Sequence, residues 1–269
     1  MKDYQDLGKH DFLSKKDAAR IIEPILVKLG VEPGKTILIH SAFSNLSRQG
    51  FFAEYFLENI LNFIGDGTLA LPTMSWREVS PTQPVFNELE TRSNVGILSE
   101  VFRLKFSERR SLHPTHSVAS VGSNTNFLLK DHHLDNRPCS ELSPWGRLAG
   151  LNAQIILIGV DMDNCTLIHH LEETRAPDVY LREEVEAYTC IGRNGSSIGV
   201  NTRRHRKLYR NFYKFREILS KLGQLNVADL GDCRFSGFKA KDLVACVSSE
   251  FERTIEATIA GPGERSKLM

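Results

Sequence analysis

The pair best placed to move a proton is His169 and Glu172, three residues apart. On a helix, side chains at i and i+3 share one face and come within mutual reach. A carboxylate beside an imidazole orients the ring and steadies its protonated form, which suits a general base working near neutral pH. An exposed helix face would bring the same two residue types together without any chemistry, so spacing alone leaves both readings open. His113 and His116 flank Pro114-Thr115, and the proline prevents a regular helix across them, so two imidazoles stand on irregular backbone. Together with His169 or His170 they could ligate a metal. No Cys or Asp stands at a familiar ligand spacing, however, so hydrogen bonding is their expected role and no metal is expected. Cys165 adjoins the His169 stretch, and a lone cysteine there reads as a small buried hydrophobe more readily than as a nucleophile. The basic run Arg203 to Lys207 reads either as a solvated loop or as a phosphate site.

These residues need elements to position them. Ser14 can cap a first helix whose apolar positions run from Ala18 to Leu29 at helical spacing, ending at Gly30. Thr36–Ile39, Thr68–Leu71, Val118–Val121 and Ile155–Val160 are short apolar runs rich in β-branched residues, the pattern of buried strands. Phe51–Phe63, Asn94–Phe106, Thr166–Arg175 and Lys239–Ile259 have helical character. Apolar strands alternating with helices predict an α/β layered fold. Val185–Cys190 and Ser197–Asn201 flank Asn194-Gly195 and read as a hairpin of antiparallel strands added to that sheet. Polar clusters follow the strands directly: His40-Ser41 after the first, Pro72-Thr73 after the second, and Asp161–His169 after the strand ending at Val160. In open α/β sheets the carboxyl ends of the strands converge on a shared crevice, so the functional site is expected there. The segment His40-Ser41-Ala42-Phe43-Ser44 could open a helix whose N–H groups face that crevice, or its serines could be plain caps.

Composition narrows the classes. The chain has 269 residues with 34 Lys+Arg against 33 Asp+Glu, which gives no electrostatic footprint for nucleic acid. Its longest apolar runs are far too short to cross a bilayer. The opening MKDYQDLGKH lacks the apolar stretch of a secretory signal. Five cysteines with no CxxC spacing argue against a disulfide framework or a zinc knuckle, so a cytoplasmic protein with reduced thiols is expected. GxGxxG, GxxxxGK[ST] and GxSxG are all absent, which removes the usual dinucleotide, nucleotide and esterase readings. No linker or repeat divides the chain, so one domain spanning 1–269 is expected.

Five segments in order, Ile37–Ser44 (ILIHSAFS), Gly67–Thr73 (GTLALPT), His113–Ser117 (HPTHS), Ser143–Leu148 (SPWGRL) and Asp163–Glu172 (DNCTLIHHLE), together resemble the aminoglycoside 3-N-acetyltransferase family over about residues 15–260. That resemblance implies a three-layer α/β/α sandwich with a mixed, largely buried central sheet. It also implies acetyl-CoA as donor to a primary amine of an aminoglycoside or amino sugar. The family's Thr-x-x-His-x-x-Glu stretch falls on Thr166, His169 and Glu172, which makes His169 the base and Glu172 its acid, with Thr166 offering a hydroxyl to the oxyanion and His116 assisting. Coenzyme A is expected near His40, Ser41, Ala42, Ser44, Thr73 and Ser117. Ala42 stands where family members often carry Ser, which implies one hydroxyl contact fewer. The Arg204-His205-Arg206 region resembles a branch associated with other sugars. Two rival readings follow: acyl transfer to a nucleotide-linked amino sugar in surface polysaccharide synthesis, and a CoA-binding protein without catalysis. The expected partners are a small-molecule amine and coenzyme A, with neither nucleic acid nor membrane, and assembly as a homo-oligomer is left open.

Overall fold

The computed structural model describes residues 12–269; the opening segment read above for a signal lies outside them. Along the chain run α1 (Lys15–Lys28), β1 (Thr36–Ser41), the short α2 (Ser44–Ser47), α3 (Ala53–Ile64), β2 (Thr68–Pro72), β3 (Val85–Asn87), α4 (Ile97–Lys105), β4 (Arg109–Arg110), β5 (Val118–Gly122), α5 (Thr125–Leu129) and α6 (Pro144–Gly150). The second half contains β6 (Gln154–Ile158), α7 (Leu167–Arg175), α8 (Pro177–Tyr180), β7 (Leu181–Ile191), β8 (Ser197–His205), β9 (Tyr209–Arg210), α9 (Tyr213–Lys221), β10 (Asn226–Leu230), β11 (Cys233–Lys239), α10 (Ala240–Arg253) and β12 (Lys267–Leu268). Ser14 does cap α1, its hydroxyl accepting from the Asp17 N–H.

Seven strands form one mixed sheet in the order β10-β11-β6-β1-β2-β5-β4. β1 lies parallel to both β2 and β6, while the outer pairings are antiparallel. Side chains alternate between the faces of a strand, and the core divides accordingly. Ile37, Ile39, Ile156 and Ile158 face a cluster built with α1, α3 and α4. Leu38, Leu157 and Ala70 face a second cluster that includes Trp145 of α6, Leu171 of α7, Phe215 of α9 and Leu243 of α10. Helices on both faces of a buried sheet make the three-layer sandwich expected from the sequence.

The structure corrects the placement of the hairpin. β7 and β8 pair antiparallel, but they join the short β3 in a separate three-stranded sheet, β3-β7-β8. This sheet has its own small core of Val79, Phe86, Tyr188, Cys190 and Val200. Only one face of the hairpin is apolar, because exposed and buried residues mix along β7 and β8, so it has no second face to bury within the main sheet. Two helices are also shorter than their periodicity predicts. α4 starts at Ile97 because Gly96, at φ 113°, sits at its N-cap. α10 stops at Arg253, where Thr254 turns to extended backbone.

Gly122 closes the β2–β5 register opposite Thr68. It sits at φ +113°, and an added Cβ would lie 2.1 Å from the Gly67 carbonyl oxygen. Backbone on both sides cannot give way, and the φ is strained for any L residue. Gly122→Ala is expected to lower stability by about 2 kcal/mol or more, read as a lower urea midpoint at unchanged m-value.

Candidate active site

The site is built where α7, the C-terminal end of β8 and the His113–Ser117 loop meet. Glu172 lies on the inner face of α7 with no exposed surface. An ionised carboxylate only accepts, so His169 donates through Nδ1, at 2.6 Å from Glu172 Oε2. The other oxygen, Oε1, accepts from Arg210 Nε at 2.8 Å and from the Thr258 hydroxyl. Burial works to raise the Glu172 pKa, but His169 and Arg210 outweigh it, leaving the carboxyl below its usual range. His169 is thus locked in one tautomer, and no hydrogen bond among the described residues uses its Nε2.

Two further imidazoles gather around it. The His205 ring centroid lies 4.5 Å from that of His169, and the His116 ring lies 5.0 Å from that of His205. His116 Nδ1 meets the Thr115 hydroxyl at 2.8 Å. His205 Nε2 lies 2.8 Å from Glu173 Oε1, and Glu173 Oε2 accepts from the Cys139 N–H at 2.7 Å. Unlike its neighbour, Glu173 is pushed well above the carboxylate range, because burial dominates and no described cation touches its carboxyl. Burial likewise holds His205 and His116 well below the ordinary imidazole value, with the neighbouring rings adding to the effect. Among the described residues, Cys139, Glu173 and His205 form the group whose potential metal-ligand atoms come within 4.8 Å of one another; both Glu173 oxygens are already engaged.

The remaining sequence candidates divide by position. His113 is fully buried: its Nδ1 accepts from the N–H groups of Thr115 and His116, and its Nε2 meets the Thr202 hydroxyl. It organises the loop and leaves its partner free. Thr73 and Ser117 are fully buried too. The Ser117 hydroxyl donates to the Thr73 carbonyl at 2.8 Å and accepts from Arg110 Nε at 2.9 Å, so both brace the ends of β2 and β5 from behind. At the end of β1, His40 stacks against Trp145 with centroids 6.0 Å apart, and His40 Nε2, Ser41 Oγ and Trp145 Nε1 are buried without partners among the described residues. Ala42 is pinned by its N–H to the Ile158 carbonyl at 2.9 Å. Ser44 opens the short α2, whose N-cap is Phe43, so neither serine is a cap. Thr166 occupies the N-cap of α7 without a side-chain capping bond. Cys165 is buried, and burial pushes its thiol up to about 12, which keeps it protonated and unreactive.

Within the basic run the three arginines are paired, Arg203 with Asp178, Arg204 with Glu186 and Arg206 with Glu183, while Lys207 is exposed. A cavity of about 490 Å³ opens at the ends of β1 and β6 beside Asn45 and Gly159; of its arginines, Arg216 pairs with Asp161, Arg234 pairs with Asp229, and Arg265 lies over the Tyr213 ring. Sequence reasoning missed Glu173, Arg210, Thr258 and the site role of His205. The doublets His169-His170 and Glu172-Glu173 were the available signal for Glu173; nothing local points to the others.

The site thus holds a carboxylate-backed imidazole on α7, set against one face of a mixed α/β/α sandwich. The sequence profile of the aminoglycoside 3-N-acetyltransferase family matches residues 38–252, and the chain belongs to that family. It is 26% identical over 220 residues to the SPbeta prophage-derived aminoglycoside N(3')-acetyltransferase-like protein of Bacillus subtilis (strain 168), covering 74% of this chain and 76% of that one. It is 30% identical over 165 residues to aminoglycoside N(3)-acetyltransferase VIII of Streptomyces fradiae, covering 55% of this chain and 57% of that enzyme. The match thus spans little more than half of the latter. Among solved structures, the apoenzyme of aminoglycoside acetyltransferase AAC(3)-IVa shares the fold at TM-score 0.71 and 22% identity, over 95% of this chain and 94% of that one. AAC-IIIb in binary complex with CoASH shares it at TM-score 0.74 and 20% identity, over 90% and 97%. No described helix is long and apolar enough to cross a membrane.

Replacing Glu172 by Gln keeps its shape but strands the Arg210 guanidinium, which has no exposed surface. Loss of one partner of a buried pair costs about 3–5 kcal/mol, so Glu172→Gln is expected to lower the urea-denaturation free energy by that order. A second expectation concerns acid. His40 and His132 are held down from 6.5 to about 3 by burial, so the unfolded chain binds protons that the native state refuses. Their contribution is complete above pH 6.5 and is lost as pH falls from there towards 3, by about 1.4 kcal/mol per pH unit for each ring. Denaturation midpoints measured from pH 7.5 down to pH 5 check this.

Proposed function

We propose that this chain transfers the acetyl group of acetyl-CoA directly to a primary amine of an aminoglycoside or amino sugar, with His169 as general base and Glu172 as the acid that orients it. The observation that carries the reading is the 2.6 Å bond between His169 Nδ1 and Glu172 Oε2, which leaves Nε2 open while three donors fix the carboxylate. An ammonium must lose a proton before its nitrogen can attack a thioester carbonyl, and an imidazole with a fixed tautomer suits that step. Thr166, beside His169 at the start of α7, offers a hydroxyl to the tetrahedral oxyanion. His116 borders the same space. Direct transfer needs no nucleophilic side chain, which accords with the buried, protonated Cys165.

The unpartnered polar atoms of His40, Ser41 and Trp145 fit a donor whose amide-bearing arm enters at the end of β1. Buried polar atoms without partners are rare, and a ligand's amide groups would satisfy them. The family supports the donor: AAC-IIIb was solved with CoASH. A variant of AAC(3)-IVa was solved with a gentamicin, at TM-score 0.74 to this chain, and supports an amine-bearing acceptor. A nucleotide-linked amino sugar draws no support from Arg203–Arg206, whose guanidiniums are paired within the fold. The reading takes the chain as one catalytic domain in the cytoplasm.

The test is thiol release from acetyl-CoA against a panel of aminoglycosides and amino sugars. Turnover is expected on at least one amine, and His169→Ala is expected to lower it by about 10²–10⁴-fold with donor binding retained. Near-normal turnover by His169→Ala at saturating substrate would overturn the assignment of the base. Donor binding without turnover on any amine would favour the non-catalytic reading.

A further inference from the structure

Resting on the acetyl-transfer reading, we infer that His205, supplied by Glu173, is the general acid that protonates the departing thiolate. The two neighbouring glutamates of α7 serve two different rings. Glu172 holds His169, and Glu173 holds His205 at 2.8 Å across from β8. The two rings stand with centroids 4.5 Å apart, so any thioester carbon within reach of an amine at His169 brings its sulfur close to His205. No hydrogen bond among the described residues uses His205 Nδ1, while its Nε2 is bound to Glu173 and only 13% of the side chain is exposed. One nitrogen is therefore tied back, and the other is left without a hydrogen-bond partner among the described residues, on a ring that packs beside His169.

The charge states of the two carboxyls differ because their partners differ. Glu172 touches a guanidinium and is ionised, whereas Glu173 has no described cation against its carboxyl and both its oxygens are used, one by the Cys139 N–H. A protonated Glu173 donates through Oε1 to His205 Nε2, which fixes the proton of the ring on Nδ1. The acceptor nitrogen gives a proton to His169 Nε2 as it bonds to the carbonyl carbon, the first proton of the ammonium having left through the same ring to solvent. The C–S bond then breaks with its electron pair on sulfur, and sulfur takes the Nδ1 proton of His205. Glu173 passes its own proton to Nε2 of the same ring. The His169 proton then passes to His205 Nδ1 as Nε2 returns its proton to Glu173, which restores both pairs.

Neither residue stands out in the motif segments of the sequence, because His205 lies in a run of arginines and Glu173 beside the expected acid. A general acid differs from a structural residue in one measurable respect. Its assistance matters only when the leaving group is basic: an alkyl thiol such as that of coenzyme A titrates in a range comparable with the cysteine value of about 8.5, while an aromatic nitrothiol leaves without help.

The experiment compares acetyl-CoA with the acetyl thioester of nitrothiobenzoate, using one amine acceptor, for the wild type, His205→Gln, Glu173→Gln and His169→Ala. Glu173→Gln preserves shape, and its amide still donates to His205 Nε2, so it retains the fold even if His205→Gln does not. With acetyl-CoA, both His205→Gln and Glu173→Gln are expected to lower kcat about 10- to 100-fold at similar KM. With the aromatic thioester the loss is expected to shrink to within about three-fold, whereas His169→Ala loses on both donors. Equal losses on the two donors, or no loss in Glu173→Gln, would overturn the proposal while leaving His169 as base. A wild type that acetylates no amine would overturn the acetyl-transfer reading and this inference with it.

Discussion

One carboxylate organises the site. Glu172 has no exposed surface, and it accepts from a ring on its own helix, from a guanidinium on β9 and from a hydroxyl beyond α10. Taking an ion out of water costs several kcal/mol, which is recovered only when its lone pairs are filled in good geometry. The segments that fill them are thereby fixed relative to α7. Arg210 in turn donates to the Met269 carbonyl, and β9 pairs with β12, so the end of the chain is gathered around the same charge. Thr258 reaches Glu172 because the chain leaves the helical path at Thr254. A buried ion pair is weak evidence for stability compared with an apolar core, but it specifies one arrangement where apolar contacts would tolerate several. For the proposed base, whose tautomer must be fixed, that specificity is the useful property.

Behind the crevice a second buried cation does comparable work. Arg110 donates to the Ser117 hydroxyl and to the carbonyls of Thr73 and Thr91, tying the end of β2 to the start of β5. The His113–Ser117 loop then has little freedom left: His113 accepts two backbone N–H groups through one nitrogen and stacks on His132 at 4.4 Å. The loop presents His116 while consuming His113. Two imidazoles that look equivalent in HPTHS thus have opposite duties, one structural and one facing the site.

The layered core was legible because it is local. The apolar runs at 36–39, 68–71, 118–121 and 155–160 match strands, since a strand buried on both faces must be apolar throughout; the last ends at Ile158 because Gly159 turns to a positive φ. The His169–Glu172 pair was legible for the same reason: helical periodicity decides it within one turn. What could not be read depends on long-range contacts. His205 joins the site only because the hairpin forms its own sheet with β3 and brings the end of β8 against Glu173 of α7, and the 33-residue separation from Glu172 to His205 leaves no periodic trace. Arg210 lies outside the basic run at 203–207, and nothing local marks it. Burial, which sequence does not report, separates it from Arg203, Arg204 and Arg206, whose charges are spent on surface or half-buried acids.

Crowding three imidazoles together has a consequence for proton traffic. Two protonated rings 4.5 Å apart, as His169 and His205 are, would repel by about 4 kcal/mol at an effective dielectric constant of about 20. The cluster therefore tolerates at most one positive charge at a time. The carboxyls decide where it goes: an ionised Glu172 faces His169, while a neutral Glu173 faces His205. Consecutive residues on a helix point about 100° apart, which lets one turn of α7 place two chemically identical acids in different surroundings and so in different protonation states. Pairs of titratable groups pushed apart by their environments are the usual way one site assembles an acid and a base from the same residue types. In this chain that separation comes from the partners of Glu172: His169 and the Arg210 guanidinium both reach it, and Arg210 stops one residue short of Glu173.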